Sequence, residues 1–414
     1  MSSREWFACL CAAGIEAGLL ALDSKQLDAV TAVALFVAIS LLYLGALWTA
    51  AHVRVSILIG AAVAFRLTAF FMPPHFSDDL YRYRWEGSAA AVGVNPYDAR
   101  PGDERLAFLR GDDFAHVDGK DFKAVYGPAL QTVQVTLFRL GAGSLSVMKL
   151  GACIAEAVVL ALLFFWARGD SRLIAWAWCP LPVVEFWGMG HHDAILIALT
   201  LSALYLLERE SYARAFVLLG FAAATKYWPI LLLPHFVRKR WWLAPVPIIV
   251  FALCWWPWHT DISENIRFTS GFVGGWRNND ILFGALLAAA GSFDRAKIVA
   301  LALIALASLA SYFARGARHA LAMVAGSILA VSANVHPWYV CWLLPLAVFR
   351  APFVLGTWAA LSPVLYTVLI RWRSEHVWDG ISAMRWIVYL PVGAAIVLQL
   401  VQVDKERGVG NPHS

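Results

Sequence analysis

Charge is scarce in this chain. Asp, Glu, Lys and Arg make up 15% of its 414 residues, against about 25% in ordinary soluble domains. No polar stretch is long enough to form a separate soluble domain. The net charge of +5 is too small to point to nucleic acid, and the topology below accounts for it. Six cysteines (Cys9, Cys11, Cys153, Cys179, Cys254, Cys341) all lie in apolar runs without metal-ligand spacing. They read as small buried hydrophobes. The first apolar run lacks a small-residue cleavage site and is closely followed by another, so it reads as a retained anchor.

What the chain has in excess is apolar sequence, at 60%. It comes in runs separated by short polar patches, the pattern of bilayer-spanning helices. The expected fold is therefore an all-α polytopic membrane protein, a single membrane-embedded domain over residues 1–414 with about 12–14 transmembrane helices. Candidate spans are 6–22, 28–49, 55–72, 146–166, 173–190, 192–207, 212–224, 227–237, 241–258, 295–314, 319–335, 337–350, 353–370 and 384–402. Several fall short of the ~20 residues a full crossing needs, and these are expected to be broken helices lined by protein.

Lys and Arg set the orientation. With the N-terminus inside, the inner turns carry Arg54, Arg168, Arg172, Arg209, Arg214, Arg238-Lys239-Arg240, Arg315, Arg318, Arg350, Lys405 and Arg407. Two large loops then lie outside, 73–145 and 259–294. The first carries two short amphipathic stretches, Tyr81–Trp85 and 127–140, which suit interfacial helices.

Ionisable groups at membrane depth cost at least ~2.5–3.5 kcal/mol each, so they are functional candidates. Here most sit near outer helix ends. Asp78 and Asp79 follow the third span, inside Ser77-Asp78-Asp79-Leu80-Tyr81-Arg82-Tyr83. Such a pair suits a general base acting on a hydroxyl, or equally an N-cap. Glu185 and Gly190-His191-His192-Asp193 form a second group, with Glu185 and His192 on one face if the helix continues. Lys226, in Thr225-Lys226-Tyr227-Trp228-Pro229, has no acidic neighbour in sequence and sits at an expected break. It either holds an anion such as phosphate or snorkels at the interface. His336 and Trp338, in Asn334-Val335-His336-Pro337-Trp338-Tyr339, suit ligand contact or a helix end. The second outer loop adds Arg267, Trp276, Arg277, Asn278, Asn279 and Asp280.

Taken in order, several motifs resemble the GT-C glycosyltransferases, most closely bacterial polyprenol-phosphate-mannose-dependent mannosyltransferases. They are Asp79-Leu80-Tyr81-Arg82-Tyr83, Gly93-Val94-Asn95-Pro96-Tyr97, Tyr126-Gly127-Pro128, Gly190-His191-His192-Asp193, Thr225-Lys226-Tyr227-Trp228-Pro229 and His336-Pro337-Trp338-Tyr339. The resemblance implies a GT-C bundle in the cytoplasmic membrane, with its active site facing the periplasm or cell exterior. It implies inverting transfer of a hexose, mannose by preference, from a polyprenyl-phosphate donor to a hydroxyl of a lipid or glycan acceptor. Asp79 takes the base position, because the family's aspartate is followed four residues later by a Tyr, here Tyr83. Lys226, Tyr227, His336 and Arg277 would hold the donor phosphate. Glu185, His191, His192, Asp193, Tyr83 and Trp338 would line the sugar or acceptor site. No cofactor, metal or nucleic acid is implied; the partners are donor, acceptor and membrane lipids. Two features depart from the pattern: two extra spans precede the aspartate, and His192 stands where the family usually has Asn. The rival reading is a transporter or lipid flippase, which calls for matched internal repeats and a midplane site.

Overall fold

The computed structural model describes residues 1–258, 277–378, 380 and 383–409. These residues are overwhelmingly helical, and the one extended pairing among them is an isolated bridge between Asn278 and Asn334. In chain order the first six helices are α1 (Ser3–Leu22), α2 (Ala29–Trp48), α3 (Val55–Phe71), α4 (Asp79–Ala91), α5 (Pro128–Gly141) and α6 (Leu145–Trp166). Among the described residues, six helices are long and apolar enough to cross a bilayer: α1, α2, α6, Trp241–Trp258, Phe293–Phe313 and Pro352–Glu375. A bent pair, Pro180–Gly188 with Asp193–Glu208, would make a seventh. Shorter apolar helices, including α3, Tyr212–Thr225 and Ala317–Val331, alternate with them. This is an all-α polytopic membrane fold.

Local chemistry starts and stops these helices where the sequence suggests. Ser2 and Asp28 cap α1 and α2, their side-chain oxygens accepting from the Glu5 and Thr31 amides at 3.2 and 2.9 Å. Such caps satisfy amides that have no partner inside the helix. The expected span at 337–350 takes another form. Pro337 and Pro345 remove amide donors, and the segment winds as two 3-10 stretches, Pro337–Trp342 and Leu344–Val348. The stretch 259–294, expected as a second outer loop, contains a short helix, Phe283–Ala290, that hydropathy reading passed over. Arg267 and Trp276 of that loop lie outside the described residues.

The chain divides into two compact units, each discontinuous in sequence. The first unit comprises Met1–Thr68, Leu163–Val183 and Val335–Ser414. In it, the helix Ile174–Ala177 stops before Pro180 and leaves carbonyls without helical partners. Tyr43 donates to the Ala175 carbonyl at 2.8 Å and Arg66 to the Ala177 carbonyl at 2.8 Å. Trp178 in turn donates to the Leu58 carbonyl at 2.8 Å. A broken helix survives in an apolar medium only when such groups are met.

The second unit comprises Ala69–Leu162 and Val184–Asn334. In it, α4 and α5 occupy the outer-loop stretches expected to be helical, and α5 opens with Pro128 at its first position. Lys149 of α6 is buried and donates to the Phe70 and Met72 carbonyls at 3.2 and 2.6 Å, where α3 ends. A lysine placed at a helix C-terminus in this way meets its last carbonyls.

Candidate active site

At the N-terminus of α4 the two acids have different surroundings. Neither aspartate side chain is the observed cap: Ser77 Oγ accepts from the Asp79 amide at 3.2 Å. The Asp78 carbonyl begins the helix, accepting from the Tyr81 amide at 3.0 Å. Asp79 instead takes side-chain donors. One turn on, Tyr83 donates its hydroxyl to Asp79 Oδ2 at 3.2 Å, and Tyr126 donates to the same oxygen at 3.3 Å. His191 Nε2 stands 3.7 Å from it. Among the described residues, these contacts all fall on Oδ2.

Burial pushes the Asp79 carboxyl above the ordinary aspartate range. The neighbouring His191 opposes that, Asp118 adds to it, and the Tyr83 hydroxyl and Lys226 pull it back down. The Asp79 side chain still keeps 24% of its surface open. Burial, reinforced by the Asp79 charge, holds the Tyr83 hydroxyl well above its usual range, so it remains a proton donor.

The second group gathers differently from its expected helical register. Pro180 and Pro182 disturb the incoming helix, which ends in a π-type turn over Val183–Gly188. The chain then bends by 118° before the helix Asp193–Glu208. Gly190 makes the bend possible, with φ +75, a conformation that residues with a side chain rarely adopt. Because the helix does not continue, Glu185 and His192 do not share a face. His191 is the partner, its Nδ1 2.9 Å from Glu185 Oε2 with both side chains buried. His192 stacks on the Tyr83 ring at 4.1 Å between centroids and 12° between planes.

The third group meets the second. The helix Tyr212–Thr225 ends at Lys226, as its sequence suggests. Lys226 Nζ lies 2.8 and 2.9 Å from the two Asp193 oxygens. The acid that sequence proximity did not supply is thus Asp193, 33 residues away. Asp193 opens one helix and Lys226 closes another, the ends at which each charge suits the helix dipole.

Tyr126 reaches this site through glycine. The Gly127 amide donates to the Thr225 carbonyl at 3.0 Å, and a Cβ on Gly127 would fall 2.2 Å from the Ala224 carbonyl oxygen. Only glycine allows that approach. Tyr97 fixes the same loop by donating to the Tyr126 carbonyl at 2.6 Å. Behind α4, Arg82 bonds Glu86 at 2.7 Å and the Gly119 and Phe122 carbonyls at 2.7 and 2.8 Å. Gln131 holds the other Glu86 oxygen at 2.7 Å. Tyr126 and this clamp were not singled out as site residues. In sequence, Tyr126 carries the Tyr126-Gly127-Pro128 motif and the clamp carries the i,i+4 spacing of Arg82 and Glu86.

The remaining predicted residues have these neighbours. Arg277 pairs with buried Asp280 at 3.0 Å. His336 and Trp338 belong to the first unit, where their rings stack at 4.3 Å. Tyr227 is half-buried, with its ring 6.1 Å from that of Phe251. Among the described residues, no three His, Cys, Asp or Glu side chains gather as metal ligands would.

Residues 12–242 match the MptA_B family, described as alpha-(1->6)-mannopyranosyltransferase, N-terminal domain. The chain belongs to this family. The match covers more than half of the sequence and includes every residue gathered around Asp79; it excludes Arg277, His336 and Trp338. Comparison with curated proteins returned no match. The protein is therefore a membrane-embedded mannosyltransferase, a glycosyltransferase that needs a sugar donor and an acceptor, and the transporter reading falls away. In this mannosyltransferase a positioned carboxylate, a buried His–Glu pair and a lysine–aspartate pair share one end of the helices Asp193–Glu208 and Tyr212–Thr225. A carboxylate held at one oxygen can accept a proton from a hydroxyl at the other.

Proposed function

We propose that this mannosyltransferase moves mannose from a polyprenyl-phosphate donor to a hydroxyl of a lipid or glycan acceptor, with inversion, at the outer face of the cytoplasmic membrane. The whole chain acts as one transferase domain, and every basic turn falling on one side supports that orientation. The observation that carries the reading is Asp79, gripped at Oδ2 by Tyr83 and Tyr126. Oδ1 accepts the acceptor's hydroxyl proton while the hydroxyl oxygen attacks the anomeric carbon. The bond from that carbon to the phosphate oxygen breaks, and the polyprenyl phosphate leaves with the electron pair. Lys226 stabilises the growing phosphate charge, in exchange for part of its contact with Asp193. His191, backed by Glu185, orients the Asp79 carboxylate and lies on the acceptor side with His192.

Asp79→Asn tests this. Asparagine keeps the size and much of the hydrogen bonding but takes no proton, and loss of a general base costs about 10²–10⁴-fold in rate. Turnover with a defined lipid-phosphate mannose should fall by that much, while donor binding persists. Asp78→Asn should cost less. A silent Asp79→Asn removes the base assignment, and a reversed order moves it to Asp78.

A further inference from the structure

Away from the Asp79 site, α4 lines a cavity of about 610 Å³ with a different face. Tyr81, Arg84, Trp85 and Ser88 follow helical spacing and all border it. Phe108, Arg110, Asp113 and Phe114 of the loop that follows close the other side. The volume suits a small ligand or a few sugar units.

The lining says what kind. Arg84 pairs with Asp113, and Arg110 binds Glu104 at 3.0 Å. Asp112 and Asp113 balance the two arginines within the lining, so a neutral ligand fits better than an anion. The Arg84–Asp113 pair, Asp112 and Ser88 border the cavity with hydrogen-bonding side chains. Such neighbouring donors and acceptors suit hydroxyl groups. Phe108, 70% exposed, offers an apolar ring face, while the Phe114 ring carries Arg110 at 4.9 Å and Lys120 at 5.4 Å. A pyranose carries both parts, hydroxyl and ring oxygens around its rim and an apolar C–H face.

We propose that this cavity is a subsite for the sugar chain of the acceptor, holding pyranose units that lie away from the attacked hydroxyl. This rests on the reading that Asp79 serves a glycan acceptor. A helix with its side chains is about 10–12 Å across, so a disaccharide engages one face of α4 and a longer oligosaccharide reaches both.

The test measures binding and transfer with full-length enzyme and two probes, α-(1→6)-linked mannobiose and mannohexaose. Calorimetry should show the hexaose binding about tenfold tighter than the biose. Phe108→Ser, at an exposed position, and Ser88→Trp, which fills the cavity, should each remove most of that advantage. Both should also raise the ratio of hexaose KM to biose KM. Asp79→Asn should keep the hexaose affinity. Equal affinity for the two probes, no hexaose binding, or an unchanged affinity in both cavity variants overturns the subsite. A silent Asp79→Asn in turnover would instead overturn the base assignment, and the binding result would stand apart from it.

Discussion

Both units bury polar side chains, and one group in each meets a different kind of partner. In the first unit, Tyr43 and Arg66 donate to main-chain carbonyls at the break at 174–180, and Trp178 of that break donates to the Leu58 carbonyl in α3. In the second, Asp79, Glu185, His191, Asp193 and Lys226 meet other ionisable side chains. The first arrangement repairs a backbone that an apolar surrounding would otherwise leave unmet. The second leaves charge and proton-accepting groups facing one another at a cost that stability alone does not explain, which is how functional groups in membranes are recognised. Burial and polarity are common to both units. The identity of the partner separates scaffold from site.

After the loss expected of Asp79→Asn, the largest break in that comparison should come at Lys226. Lys226→Ala removes a charge-assisted contact worth about 1.5–3 kcal/mol, so donor affinity should fall by roughly tenfold to a hundredfold. It also leaves Asp193 buried without its cation, which lowers stability. Pairing the change with Asp193→Asn separates the two effects. The double variant should regain thermal stability and stay weak for donor. Full recovery of donor binding would make Lys226 a partner of Asp193 alone.

In the first unit the expectation is the opposite. Arg66→Met should leave the Ala177 carbonyl unmet and cost about 1–3 kcal/mol of stability, without changing kcat/KM per folded molecule. Thermal unfolding and single-turnover kinetics on the same preparation test it. A catalytic defect at unchanged stability would erase the distinction between the units.

The smallest effect sharpens the role of the tyrosine grip. Asp79 acts as base only when deprotonated, and burial already lifts its pKa. Activity should therefore fall with acid at a pH above the ordinary aspartate value. Tyr83→Phe removes a hydrogen bond that favours the carboxylate, so the acid limb of kcat/KM should move to still higher pH. A limb that stays in place would mean that Tyr83 packs against Asp79 without tuning it.

Much of the fold was legible because its signals are local. Apolar run length gave the membrane class and most helices, and proline with short runs marked the breaks at Lys226 and Pro337. Asp79 and Tyr83, four residues apart in the motif, meet across one helical turn. Sequence by itself went no further than one helical turn in any direction. Tertiary structure decided that Glu185 meets His191 and leaves His192 to stack on Tyr83, because a π-type turn and the bend at Gly190 shift the register. It also brought Tyr126 to Asp79 across 47 residues and Asp193 to Lys226 across 33. Hydropathy and helical period describe one helix at a time. Which helix ends come together depends on packing between them, and there the charges find their partners.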